Sequence, residues 1–215
     1  MNDSIRKTME NLNKNRMESF FVETKEEALK TALSLISDGD TVSVGGSVTL
    51  NEVGILEALK CGKYNYLDRY AASSPQEMHD IFRQSFSADA YFTSSNAVTE
   101  EGELFNCDGN ANRVAAMMYG PKKVIVIVGK NKIVKDLDEA LIRLKTVAAP
   151  LNAKRLNKET YCAKIGHCVT MDNGKERDMT CGCRSKDRIC RNYTVMGEHL
   201  PDRVKVIIVN EDLGY

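Results

Sequence analysis

The chain has 215 residues, 42% hydrophobic and 28% charged, with a formal net charge of zero. That length builds one good core, or one core with a small appendage, and the balanced charge supplies no global field for nucleic acid or an anionic membrane. No run of about 18 apolar residues is present to span a bilayer, and the polar start MNDSIRKTMENLNKN lacks the apolar stretch of a secretory signal.

A cytoplasmic location is therefore expected. Stable disulfides are disfavoured there, so the seven cysteines are read first as thiols or metal ligands.

Helix starts recur along the chain. Thr24-x-x-Glu27, Thr49-x-x-Glu52 and Ser74-Pro75-x-Glu77 each fit a capping box, and Asp136-x-x-Glu139 is a looser version with a carboxylate cap. Each leads into apolar residues at helical spacing: Ala28, Ala32, Leu33 and Leu35; Val53, Ile55, Leu56 and Leu59; Met78, Ile81 and Phe82; Leu137, Leu141 and Leu144. Between them lie runs of strand formers at Thr41–Val44, Tyr64–Leu67, Ala90–Thr93, Lys123–Val128 and Val204–Val209. The last two are continuously apolar, as in strands buried on both faces. Such alternation predicts an α/β fold with a mostly parallel sheet covered by helices.

Pro150 is expected to end the helix begun at Asp136. Beyond it, residues 154–191 carry ten Lys or Arg against five Asp or Glu and hold five of the seven cysteines. That stretch reads as a Cys-rich insertion, 151–192, within a single domain spanning 1–215, with Val204–Val209 returning the chain to the sheet.

Val44-Gly45-Gly46-Ser47-Val48-Thr49-Leu50-Asn51-Glu52 runs from a strand end through two glycines into a helix start. Free N–H groups there favour an anion, and the strand-end crevice of an open α/β sheet is where ligands bind. A tight, well-capped turn explains the same residues without a ligand.

Thr93-Ser94-Ser95-Asn96 leaves a second strand toward the same crevice. A hairpin with its turn at Glu100-Glu101-Gly102 follows. Asp108-Gly109-Asn110-Ala111-Asn112-Arg113 then opens a helix with Asn110 as cap. Arg113 opposes the helix dipole, so its guanidinium is expected to serve a ligand carboxylate or phosphate, or an internal acid such as Glu100. The candidate anion-binding set is Gly45, Gly46, Ser47, Thr49, Asn51, Thr93, Ser94, Ser95, Asn96, Glu100, Asn110 and Arg113. No catalytic residue is assigned.

From Thr93 through NAVTEEGELFNCDGNANRVAAMMYGPKKVIVIVGKNKIV, with GGSVTL upstream, the sequence resembles the LUD-domain family of lactate-utilisation proteins. The resemblance covers nearly the whole chain. It implies a three-layer, Rossmann-like sheet akin to the sugar-phosphate isomerase and CoA-transferase superfamily. It also implies a link to oxidation of L-lactate to pyruvate by an iron–sulfur complex, with iron–sulfur subunits as partners and a small anionic metabolite as ligand.

The cysteine segment reads Cys162-x5-Cys168-x12-Cys181-x-Cys183-x6-Cys190. Four thiolates hold zinc or an iron–sulfur cluster. A redox dithiol at Cys181 and Cys183, or unconnected surface thiols, explain the same residues. Cys61 and Cys107 stand apart and are expected to be small buried hydrophobes. Clostridial-type family members are similar here, with a C-x5-C-x2-C-x6-C pattern. Carried over residue by residue, it implies Cys162, Cys168, Cys183 and Cys190 as ligands of a [4Fe–4S] cluster or zinc. An insertion after Cys168 departs from that pattern and leaves Cys181 as an extra thiol.

The leading reading is an accessory, redox-linked protein of a lactate-oxidation system. A free-standing enzyme acting on a phosphorylated or CoA-linked metabolite, and a redox-sensing regulator, are the alternatives.

Overall fold

The computed structural model describes residues 1–215. From the N-terminus, α1 (Asp3–Lys14) leads into β1 (Glu18–Val22), α2 (Lys25–Ser34), β2 (Thr41–Val44), the short α3 (Val48–Val53) and α4 (Ile55–Ala58), β3 (Asn65–Leu67), α5 (Pro75–Gln84) and β4 (Ala90–Thr93). There follow the hairpin strands β5 (Ala97–Thr99) and β6 (Leu104–Asp108), α6 (Asn112–Met118), β7 (Lys123–Gly129) and β8 (Ile133–Val134). The chain ends with α7 (Leu137–Arg143), α8 (Ala149–Arg155), α9 (Tyr161–Ile165), β9 (Asn192–Met196) and β10 (Val204–Val209). No helix is long and apolar enough to cross a membrane.

Strand periodicity builds the core. Side chains alternate across a strand, so Val124, Val126 and Val128 face one way from β7 while Ile125 and Ile127 face the other. Ile125, Ile127, Ile207 and Val209 pack with Val42, Phe92, Ala28 and Leu50. On the opposite face Val124, Val126, Val128 and Val206 pack with Ile5, Leu12 and Met117. Helices thus cover a six-stranded sheet on both sides, in the order β1-β10-β7-β4-β2-β3, and all five of its strand pairs are parallel. A second, four-stranded sheet, β8-β5-β6-β9, packs on Ala140, Leu141, Leu144 and Ala148 through Ala97 and Phe105.

Strands β2, β4 and β10 have the predicted bounds, β3 starts one residue later than expected, and β7 runs on through Gly129. The expected hairpin forms, with β5 and β6 antiparallel. Elements α1, β1, β8, α9 and β9 are not predicted from sequence; the three strands among them are short or half-exposed.

Three local expectations need correction. Thr49 is not a cap: Ser47 accepts from Leu50 N, and Thr49 lies buried inside α3. Asn110 is not the cap of α6 either. Ala111 occupies that position in the left-handed region, while the Asp108 carboxylate accepts from the N–H groups of Asn110 and Ala111. Nor does Pro150 end its helix. A π-helical turn over Leu144–Ala148 joins α7 to α8, and Pro150 sits in the first turn of α8. A proline lacks only its own N–H and is tolerated at a first turn. The 151–192 segment therefore begins inside a helix, and its irregular part starts after Arg155.

The hairpin turn is clamped to α1. Ser4 donates to Glu100 Oε1 at 2.7 Å, Asn11 to Glu100 O at 2.8 Å, and Asn15 to the carbonyls of Glu101 and Gly102. Gly102 has φ +77°, and a Cβ there would lie 2.5 Å from backbone atoms of Asn11 and Leu12. Gly102→Ala is expected to cost on the order of 3 kcal/mol, because strain and a backbone clash coincide. Differential scanning calorimetry should show Tm lowered by roughly 6–12 °C.

Candidate functional site

The chain runs from β2 to its neighbour β3 on one side and from β4 to its neighbour β7 on the other, so the strand order reverses between β2 and β4. A crevice outside the strand ends is expected at such a switch point. Gly45–Ser47 and Thr93–Asn96 emerge there side by side, tied by Gly45 N donating to Phe92 O at 2.8 Å. Around them opens a cleft of about 570 Å³, lined by Gly46, Ser47, Thr49, Ser94, Ser95, Asn96, Asn110 and Arg113 among others.

Of the remaining predicted residues, Gly45 and Thr93 form the buried floor: a Cβ on Gly45 would come within 3.0 Å of Thr93 Oγ1 and 3.1 Å of the Arg113 side chain. Asn51 is exposed and Glu100 is held by α1; neither lines the cleft.

Charge in the cleft comes from side chains. With six residues, α3 contributes only a short dipole. Eight cationic side chains line the walls (Arg69, Arg113, Lys132, Arg155, Lys158, Lys186, Arg188 and Arg191), against two carboxylates, Asp108 and Asp187. Both carboxylates are engaged, Asp108 with Arg113 and Asp187 with the N–H of Glu159.

Arg113 is built into the wall. Its Nη1 donates to Ser94 O at 3.1 Å and Asn106 Oδ1 at 2.6 Å. Nη2 donates to Asn96 Oδ1 at 3.2 Å and Cys107 O at 2.9 Å, and Nε lies 3.4 Å from Asp108 Oδ2. The internal acid it serves is therefore Asp108, not Glu100, and the protein itself takes up its fork of donors. Ser95 is likewise occupied, donating to Ala97 O.

Lys132 differs. It is 3% exposed, and its Nζ donates to Thr49 Oγ1 at 2.9 Å and Ser94 Oγ at 3.0 Å. No carboxylate lies within ion-pair distance of it. Burial, with the Arg143 and Arg113 guanidiniums nearby, pushes the amine down to about 7. Sequence reading missed this residue. Its signal is the polar turn Lys130-Asn131-Lys132 at the carboxyl end of central strand β7, the place where ligand-facing groups collect in such sheets.

The cysteine segment forms the far wall. Cys162, Cys168, Cys183 and Cys190 line one apolar chamber of about 20 Å³, with Tyr161, Val169, Tyr193, Leu144, Lys145 and Ala149. Cys181 is not among them, and all seven cysteines are free thiols. Burial raises the Cys162 thiol. Arg188 Nε lies 3.3 Å from Cys190 Sγ. Cys190, Leu144 and Ala149 line both the chamber and the cleft, so the two cavities share a wall.

Cys107 was missed as a neighbour of this set. It sits opposite Tyr193 in the β6–β9 pairing and lines the cleft; burial, then the nearby Cys190, pushes its thiol up to about 12. Cys61 is exposed rather than buried.

The donor set suits a thiolate-bound metal group. The four thiols face a common space, yet no three His, Cys, Asp or Glu side chains converge closely enough to hold a single metal ion. Tetrahedral zinc needs four sulfurs at about 2.3 Å from one point, and the chamber's volume is that of about one water. Zinc would require the thiols to close in. A polynuclear cluster would require them to spread.

A family model for the LUD domain matches residues 5–209. Among solved structures, a DUF162 family protein from Deinococcus radiodurans is similar over 97% of both chains, with a TM-score of 0.56 and 18% identity, a likeness of fold. Ribose 5-phosphate isomerase A from Methanocaldococcus jannaschii matches 54% of this chain and 56% of its own, at 20% identity and a TM-score of 0.36. The tetrameric eIF2B β2δ2 complex from C. thermophilum matches 52% of this chain and 42% of its own, at 25% identity and TM-score 0.36. No curated protein matches the chain.

Proposed function

Because the chain belongs to the LUD domain family, we propose that it serves lactate utilisation as a redox-linked accessory protein, with an anion-binding cleft beside a thiolate-held metal group. The observation that carries this reading is the shared wall: Cys190 borders both the cationic cleft and the four-thiol chamber. When bound, an iron–sulfur group would supply one-electron transfer. The chain's own part is to hold Cys162, Cys168, Cys183 and Cys190 around the chamber, keep water out with Tyr161, Val169 and Tyr193, and set an anionic metabolite against the other side of Cys190. Lys132 is the buried cation in the cleft that lacks an anion, and a ligand carboxylate or phosphate would complete it. Iron–sulfur subunits of a lactate-oxidation system are the partners that this reading assigns.

Anaerobic purification followed by metal and sulfide analysis and a visible spectrum tests it. Bound iron and sulfide are expected, falling to background in Cys162→Ser, Cys168→Ser, Cys183→Ser and Cys190→Ser while Cys181→Ser retains them. Stoichiometric zinc in place of iron would make the chamber structural and end the redox reading. No metal at all would overturn the thiolate site.

A further inference from the structure

Lys132 offers more than a positive charge. We propose that its Nζ condenses with the carbonyl group of an anionic substrate held in the cleft, forming an imine. The inference rests on the anion-cleft reading above and adds a covalent step to it.

The geometry has three parts. The amine is buried at the floor of a cleft wide enough to admit a metabolite, rather than in a closed core. Its neighbours are two hydroxyls, Thr49 Oγ1 and Ser94 Oγ, which can relay protons without forming a competing ion pair. The surrounding charges are guanidiniums, Arg113 and Arg143. Arg143 is itself fixed by donating to Asn131 O and Asn96 O. Glu52, the one acid whose field reaches the amine, is taken up by Gly214 N at 2.7 Å.

A lysine desolvated and crowded by cations is the usual arrangement for an amine that must be uncharged to attack a carbonyl. The downward shift to about 7 noted above agrees with this arrangement. Elsewhere in the protein, the buried Lys205 is paired with Glu18 and the buried Lys145 donates to the carbonyls of Lys175 and Asp178. Neither lines the cleft.

The step balances without any further reagent. The Nζ lone pair attacks the carbonyl carbon, giving a zwitterionic tetrahedral adduct. The two amine hydrogens pass, through the Ser94 and Thr49 hydroxyls, to the former carbonyl oxygen. Water leaves and a C=N bond remains. The cationic walls select carbonyl compounds that carry a carboxylate or a phosphate. A 2-oxo acid and a phosphorylated sugar share this chemistry.

Borohydride trapping tests the inference. The full-length protein is incubated with pyruvate, with ribose 5-phosphate, or with acetone, and each sample is reduced and examined by intact mass and peptide mapping. The expected result is a reduced adduct on Lys132 from one of the two anionic compounds, little from acetone, and none in Lys132→Met; which anion gives it identifies the substrate branch. No adduct, or one spread over surface lysines and unchanged in Lys132→Met, would overturn the imine. Stabilisation of the untreated protein by pyruvate or inorganic phosphate, read as a thermal shift, reports on the anion cleft alone. A thermal shift without an adduct therefore sinks only the covalent step, and absence of both sinks the cleft reading as well.

Discussion

Lys132→Met should make the unliganded protein more stable at pH 7, by about 2 kcal/mol. Burial takes the amine from its ordinary 10.5 to about 7, which corresponds to a cost of about 5 kcal/mol. Methionine fills similar space without the charge, but it leaves the Thr49 and Ser94 hydroxyls without their donor, returning about 1–1.5 kcal/mol for each.

The sign follows from proton counts. Between about 7 and 10.5 the unfolded chain binds the Lys132 proton and the folded chain does not, so wild-type stability rises with pH across that window. The advantage of Lys132→Met should therefore be largest at and below pH 7 and shrink toward pH 10.5. Urea denaturation of both proteins at several pH values measures it. A variant less stable than wild type throughout would mean that the lysine is held in the charged form by an anion. A buried cation that weakens the fold is what a functional site leaves behind.

The neighbouring buried cation should behave in the opposite way. Arg113→Lys is expected to lose about 3 kcal/mol, since an ammonium cannot reproduce a guanidinium fork. Ser94 O, Asn106 Oδ1, Asn96 Oδ1, Cys107 O and Asp108 all depend on that fork. Because these acceptors join the β4 exit to β6, the loss should also loosen the cleft wall. Calorimetry should show a Tm lower by roughly 6–12 °C. A fall of less than about 1 kcal/mol would place Arg113 with surface substitutions.

The contrast between these cations explains what could be read from sequence. Local patterns placed five of the six strands of the main sheet, all but β1, because each is decided by its own burial, as in Lys123–Val128. They placed Gly46, Ser47, Ser94, Ser95 and Asn96 at one crevice because strand ends in such folds converge. Cys162, Cys168, Cys183 and Cys190 line one chamber without Cys181, a grouping that the family resemblance suggested and no local pattern did.

What escaped depends on contacts distant in sequence. Lys132 acquires its character from Thr49, Ser94 and Arg143, and Cys107 from Cys190 and Tyr193; no window of sequence holds these together. Glu100 looked available because a hairpin tip is usually solvated, yet α1, itself unforeseen, takes its carboxylate. Strand β1, ESFFV, has too little alternation to be told from a loop until β10 is beside it.

That last pairing has a consequence for biosynthesis. Glu18 of β1 lies in register with Lys205 of β10, and β10 alone connects β1 to the rest of the sheet. At bacterial or eukaryotic elongation rates, β1 waits roughly 10 to 40 s for its partner to be made. During that interval Phe20, Phe21 and Val22 form an unpaired, apolar edge of the kind that pairs with other chains. The cysteine segment is translated within the same interval, before the sheet closes. The nascent chain should therefore need a chaperone to shield β1, and its yield should respond to translation speed as well as to the stability of the finished fold.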